Sequence, residues 1–140
     1  MSELRSVSLD RVDKGRFRAT NVRGGTLEFG EGSEGDTDFT PVELLLVALG
    51  GCTGIDVDYI AGKRAEFDSF AITVTADKLR DEQGNHLQDI TISFAPRFPD
   101  GPEGDAARAM VPSAVQKSHD RLCTVGRTVQ LGTPIRTELT

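Results

Sequence analysis

The chain has 140 residues, 37% of them hydrophobic and 27% charged, with a formal net charge of -6. That length suits one domain, residues 1–140, able to bury roughly two-thirds of its unfolded surface without disulfide or metal support. An acidic chain with no basic stripe is a poor nucleic-acid binder, because that affinity rests on neutralising phosphates, and a poor match for an anionic membrane surface. Met1-Ser2-Glu3-Leu4-Arg5 lacks the apolar core of a signal peptide, and the longest apolar run is about half of the ~20 residues that span a bilayer. The expected location is the cytoplasm, where a pair of cysteines is more often transient or catalytic than structural.

Residues 1–30 read as a β-meander of Leu4–Asp10, Arg16–Asn21 and Thr26–Phe29, with turns at Asp13-Lys14-Gly15 and Arg23-Gly24-Gly25. Glu31–Asp38 is an acidic, glycine-bearing loop. Thr40-Pro41-Val42-Glu43 then carries a capping box with proline at the first helical position, and Phe39 with Leu44 suits a hydrophobic staple. The spacing predicts a helix from there to Ala61, stopped by Gly62. Strict alternation predicts strands over Phe70–Ala76 and Gln88–Ala95, joined by a hairpin loop at residues 81–85. Pro96–Gly104 is a connection and Asp105 a candidate cap of a short helical turn. Pro112 restarts a helix that reaches Leu122, Thr124 caps another, and Thr133–Leu139 is expected as a final strand. Strands and helices are segregated along the chain. That order predicts an α+β fold with an antiparallel sheet packed against a long central helix.

The run Leu44-Leu45-Leu46-Val47-Ala48-Leu49 has no polar face, so that stretch of helix calls for cover on every side. One sheet covers one side, and a second copy of the chain is the simplest source of the rest. Gly50-Gly51 fits close approach of another backbone, or alternatively a bend in a helix wrapped by its own chain. Cys52 follows in the same helix. A buried cysteine is commonly an inert small hydrophobe, and an apolar surround raises a thiol pKa, so a working Cys52 needs a cation brought in by the fold. Cys123 lies between two helices, near the start of the second. The two sulfurs are candidates for a redox pair assembled by folding.

The stretch from Phe39 to Cys52, and Ala114-Val115, Ser118 and Cys123-Thr124-Val125, resemble the two cysteine segments of the osmotically inducible protein C (OsmC) and organic hydroperoxide resistance (Ohr) family. Length, cysteine separation and element order agree. The resemblance implies an intertwined homodimer with active sites at the subunit interface, and a thiol peroxidase for organic, lipid-like hydroperoxides serving oxidative-stress defence. Cys52 is then peroxidatic and Cys123 resolving, and an external dithiol, of lipoyl type, reduces the disulfide. It also implies an arginine, held by a glutamate, that keeps the thiolate ionised. Glu43 occupies the glutamate's place, although a capping role alone explains it. Arg16 fits the arginine, with Arg18 and Arg23 as alternatives. Glu43 and Cys52 are nine residues apart, on opposite sides of one straight helix, so sharing a site requires a bend or two chains. The chain has Thr53-Gly54-Ile55-Asp56 where the family's peroxidases carry an aromatic right after the first cysteine, which resembles a more distant branch.

Other chemistries have thinner support. His119 and Cys123, four apart, suit a Cys–His nucleophile or two ligands of a metal lacking a third. His86 sits in the hairpin loop. No motif suggests an organic cofactor or a resident metal. The rival from another class is a binding protein that holds an apolar molecule at the dimer interface, with incidental cysteines.

Overall fold

The computed structural model describes residues 2–140, which divide into two compact units meeting at Leu45 and Leu46, inside one helix. In the first unit, β1 (Val7–Asp13), β2 (Arg16–Asn21) and β3 (Thr26–Gly30) form an antiparallel meander in the order β1-β2-β3. β1 runs three residues later than expected at both ends, because pairing continues to Asp13 opposite Arg16 through a bulge between Arg11 and Asp13. The β2–β3 turn is organised by Asn21, whose side-chain oxygen accepts the N–H groups of Arg23 and Gly25 at 3.0 and 2.9 Å. Gly24 takes the left-handed conformation that this turn needs, φ 89°. Phe17 and Phe29 stack across the register with ring centroids 6.2 Å apart.

The capping box closes as its spacing requires. Glu43 N–H donates to Thr40 Oγ1 at 3.2 Å, and Thr40 N–H donates to Glu43 Oε1 at 2.9 Å. It opens α1 (Pro41–Ala61), which Gly62 ends through a bond from its N–H to the Asp58 carbonyl.

In the second unit, β4 (Ser69–Asp81) and β5 (Gly84–Arg97) make one long hairpin. It is longer than alternation predicted. The register runs to Asp81 opposite Gly84, and its outer rungs are mostly polar and exposed, with only Leu79 and Leu87 apolar, too few for periodicity to report. Phe70, Ile72, Val74 and Ala76 are half-buried while Ala71, Thr73 and Thr75 are exposed. α1 lies against the half-buried face. A Cβ on Gly50 would meet Val74 Cγ2 at 2.6 Å, and one on Gly54 would meet Ile72 Cδ1 at 2.5 Å. The close neighbour of Gly50 is therefore β4 of its own chain, while Gly51 faces open space.

α2 (Pro102–Lys117) runs through Pro112 and does not restart there. Proline removes one N–H and strains one turn, and the helix persists because Ala107 and Ala114, on either side, are buried in the core. That core joins Val57 and Ala61 of α1 to Phe98, Ala107 and Ala114. Phe67 stacks between Phe70 and Phe98 at 4.9 and 4.5 Å. Asp105 is not a cap. Gly101 holds that position, and Asp105 pairs instead with Arg108 at 2.9 Å. Thr133–Leu139 forms no strand, since no edge within the described residues pairs with it, and Ile135 and Leu139 are 91% and 99% exposed.

A candidate thiol pair at the start of a short helix

Cys123 is placed by a change of helical pitch. After α2, residues Ser118–Leu122 form one turn of π-helix, closed by a bond from Cys123 N–H to the Ser118 carbonyl at 2.9 Å. Such turns are rare and concentrate at functional sites. The chain then becomes extended at Cys123 and re-enters helix as α3 (Thr124–Leu131). The N-cap is Cys123 itself, one residue before the expected Thr124, and its Sγ accepts the Gly126 N–H at 3.2 Å.

Cys52, on α1, is half-buried, and its thiol lies near enough to that of Cys123 for the two to perturb one another. Both cysteines are free. Folding thus brings together two sulfurs that are far apart in sequence, at the first turn of α3. That turn supplies the Gly126 N–H to Cys123 and turns the Val125 N–H toward Cys52, where it favours the thiolate. Burial pushes the Cys52 thiol up, the contact with Cys123 adds to this, and the charge of Asp56 adds a little more. The Val125 N–H pulls the other way. None of these four influences is a cation.

A buried polar bond, which sequence reading missed, joins the two cysteine segments. Ser118 is fully buried, and its hydroxyl donates to Asp56 Oδ2 at 2.7 Å. The only hint in the sequence is a polar pair, Asp56 on an apolar helix and Ser118 ahead of the second cysteine.

Among the described residues no group of three His, Cys, Asp or Glu side chains is arranged to hold a metal. Beside Cys123 is a cavity of about 230 Å³ lined by Leu49, Thr53, Ile90, Ile92, His119, Cys123, Gly126, Val129 and Gln130. Ile90 reaches it from a bulge, where Asp89 and Ile90 together oppose Ala76 and Asp89 takes φ 54°.

Within the first unit, Arg16 and Glu43 are each engaged by other groups. Arg16 Nη1 donates to Asp36 Oδ2 at 2.8 Å, its Nη2 donates to Asp38 Oδ2, and Glu28 lies 3.9 Å away. Asp38 first, and then Asp36, raise its already high pKa. Gly30 leaves room for the cluster, because a Cβ there would fall 2.5 Å from Asp36 Oδ2. Glu43 is occupied by the capping box. Within the first unit the carboxylates on Arg16 are therefore Asp36, Asp38 and Glu28, and Glu43 is not among them. Arg18 lies 3.6 Å from Glu28, and Arg23 sits exposed in the β2–β3 turn.

Comparison with known proteins agrees with this architecture. The family described as OsmC-like protein matches residues 32–138. An uncharacterized protein of Mycobacterium tuberculosis is 28% identical over 132 residues, covering 94% of this chain and 93% of its own. An OsmC-like protein from Mycoplasma pneumoniae superimposes with a TM-score of 0.72 at 14% identity, over 93% of this chain and 89% of the other. The organic hydroperoxide resistance protein OhrB of Bacillus subtilis gives 0.59 at 17% identity, over 90% of each chain. With both cysteine segments inside the matched region, the chain belongs to the OsmC-like protein family and shares the α+β fold of the OsmC and Ohr proteins.

Proposed function

We propose that the chain is a cysteine-based peroxidase that reduces organic hydroperoxides to alcohols. The observation that carries this reading is the contact between Cys52 and Cys123 at the first turn of α3. The Cys52 thiolate attacks the outer peroxide oxygen, the O–O bond breaks, and the alkoxide leaves with a proton as alcohol. The resulting sulfenic acid is attacked by the Cys123 thiolate. The Cys52–Cys123 disulfide forms and hydroxide leaves as water. An external dithiol then restores both thiols. An organic hydroperoxide is the substrate class that the family resemblance implies.

This chemistry needs a cation to offset the burial of Cys52, and the reading assigns that task to Arg16 with Glu43 as its holder. Arg16 must then exchange at least one of Asp36 and Asp38 for the sulfur site. The working unit is a cytoplasmic homodimer. Val47, Ile55 and Tyr59 leave an apolar face of α1 uncovered, Tyr59 at 71% exposure, and the C-terminal segment ends unpaired. A second copy is the occupant that the family suggests.

The test is thiol titration before and after one equivalent of cumene hydroperoxide. A peroxidase loses both thiols to an intramolecular disulfide. Cys52→Ser abolishes consumption, whereas Cys123→Ser permits a first oxidation and stalls. Retention of both thiols favours the second reading, a binder of apolar molecules, for which the cavity is the supporting observation.

A further inference from the structure

The cavity beside Cys123 has a polar side that the peroxide chemistry leaves unused. His119 and Cys123 both line it, one turn of π-helix apart. His119 Nδ1 lies 3.0 Å from Asp120 Oδ1, and both carboxylate oxygens of Asp120 accept from Gln116 Nε2, at 3.0 and 2.9 Å. The Gln116 bonds, followed by the His119 contact, hold the Asp120 carboxyl below its usual range, so it is an acceptor. In the neutral ring, an Nδ1 facing a carboxylate is the nitrogen that carries the proton, and Nε2 is then the acceptor. Gln116, His119 and Asp120 thus form a chain that ends in a proton acceptor on a ring lining the same cavity as Cys123.

The location of the cavity adds a second constraint. Attack on a disulfide proceeds in line, from the side of the target sulfur opposite its partner. Cys123 is only 2% exposed, and the cavity lines it without including Cys52. A thiol inside the cavity would therefore meet Cys123, which lines it, and not Cys52, which does not.

We propose that this cavity is the entry site of the reducing dithiol, that Cys123 is the sulfur attacked, and that His119 is the base that ionises the incoming thiol. This step rests on the two-thiol cycle above but not on what oxidised it. His119 Nε2 takes the proton of the first thiol. The new thiolate attacks Cys123 Sγ, the Cys52–Cys123 bond breaks, and Cys52 leaves as a thiolate. A mixed disulfide then joins the reductant to Cys123. The second thiol attacks the reductant's own sulfur in that bond and expels the Cys123 thiolate, which recovers the proton from His119. The proton of the second thiol goes to Cys52. The dithiol ends as a disulfide and the protein as two thiols, with two electrons passed.

The test forms the protein disulfide with diamide, so no peroxide is involved. Two probes follow: reduction by dithiothreitol, timed by alkylation of released thiols, and trapping by the monothiol 2-mercaptoethanol with peptide mass spectrometry. The expected adduct sits on Cys123, with Cys52 alkylated. His119→Asn and His119→Gln are expected to slow reduction by about a hundredfold near pH 6.5. The deficit should shrink toward pH 9, where dithiothreitol ionises unaided. An adduct on Cys52, or variants that match wild type at every pH, would overturn the proposal. A uniform slowing at all pH values would also overturn it, since it would mark a structural role. If diamide closes no intramolecular disulfide, the two-thiol cycle and this step fail together. If the disulfide forms and behaves as expected but cumene hydroperoxide leaves the thiols intact, only the peroxidase reading fails.

Discussion

The two units solve opposite electrostatic problems. In the first, one guanidinium is surrounded by carboxylates: Arg16 bonds Asp36 and Asp38 and lies near Glu28. In the second, two thiols share the start of α3 with backbone N–H groups, and the carboxylate that perturbs Cys52 is an anion, Asp56. The first unit has a cation with more partners than it needs, and the second has an acid that its surroundings hold protonated. The surroundings of Cys52 therefore favour its thiol over its thiolate. Activation, on the proposed reading, is a change of partners by an arginine and not a property of the cysteine pocket alone.

The sharpest way to break this contrast is Arg16→Ala. If the guanidinium activates Cys52, second-order oxidation by cumene hydroperoxide falls by about a hundredfold, as for loss of a preorganised charge-stabilising group. Urea midpoints change little, because the ion pairs of Arg16 are solvent-screened. An unchanged rate would mean that the first turn of α3 suffices. Next in size is packing. Gly50→Val drives a branched side chain into Val74 and is expected to cost about 1–3 kcal/mol in urea unfolding. The matching change at Gly51, which faces open space, costs less within one chain. A larger loss at Gly51 than at Gly50 would reveal a second copy packed there. Ser118→Ala removes the donor to Asp56 and is expected to cost about 1–3 kcal/mol. Asp56→Asn keeps an acceptor for Ser118 and removes a charge, so it should bring the Cys52 thiol down from its raised position, readable by iodoacetamide rates against pH.

The sequence was legible where local rules act alone. Thr40, Pro41 and Glu43 announce the start of α1, Gly62 its end, and alternation finds the inner rungs of β4 and β5. Reading failed where tertiary packing overrides a local signal. Pro112 looks like a helix start and lies mid-helix, held by Ala107 and Ala114 in the core. Thr133–Leu139 has the composition of a strand, yet a strand needs an edge to pair with. The candidate site divides the same way. The cysteines were legible, but the bond between Ser118 and Asp56 joins segments 62 residues apart, and no spacing rule reports a π-turn or a sulfur N-cap, local as both are. The carboxylates that Arg16 meets within the first unit were not legible either. Asp36 and Asp38 sit in an irregular acidic loop whose path sequence patterns do not fix.

The smallest expected effects are in pH dependence, and they have opposite signs in the two units. The folded state raises the Cys52 thiol above its unfolded value. Its contribution to stability is thus full below the ordinary thiol range, about 8.5, and is lost as pH rises through the folded value. Under reducing conditions, wild type should lose stability between pH 8 and 10 more steeply than Cys52→Ser. The folded state lowers Asp36, so its contribution is present above the ordinary carboxylate range and lost as pH falls through the folded value. The largest cause of that lowering is the bond from Asp38 N–H, 2.9 Å from Asp36 Oδ1, with Arg16 acting behind it. Arg16→Ala should therefore weaken the acid limb without removing it, whereas Asp36→Asn should remove its share entirely. Asp120, lowered by Gln116 and then by His119, contributes a separate acid limb from the second unit. Comparing Asp36→Asn with Asp120→Asn in urea unfolding from pH 5 to 2.5 separates the two. If Arg16→Ala and Asp36→Asn flatten the acid limb equally, the arginine and not the loop backbone sets that carboxylate, and Arg16 is held too firmly to be released to a sulfur.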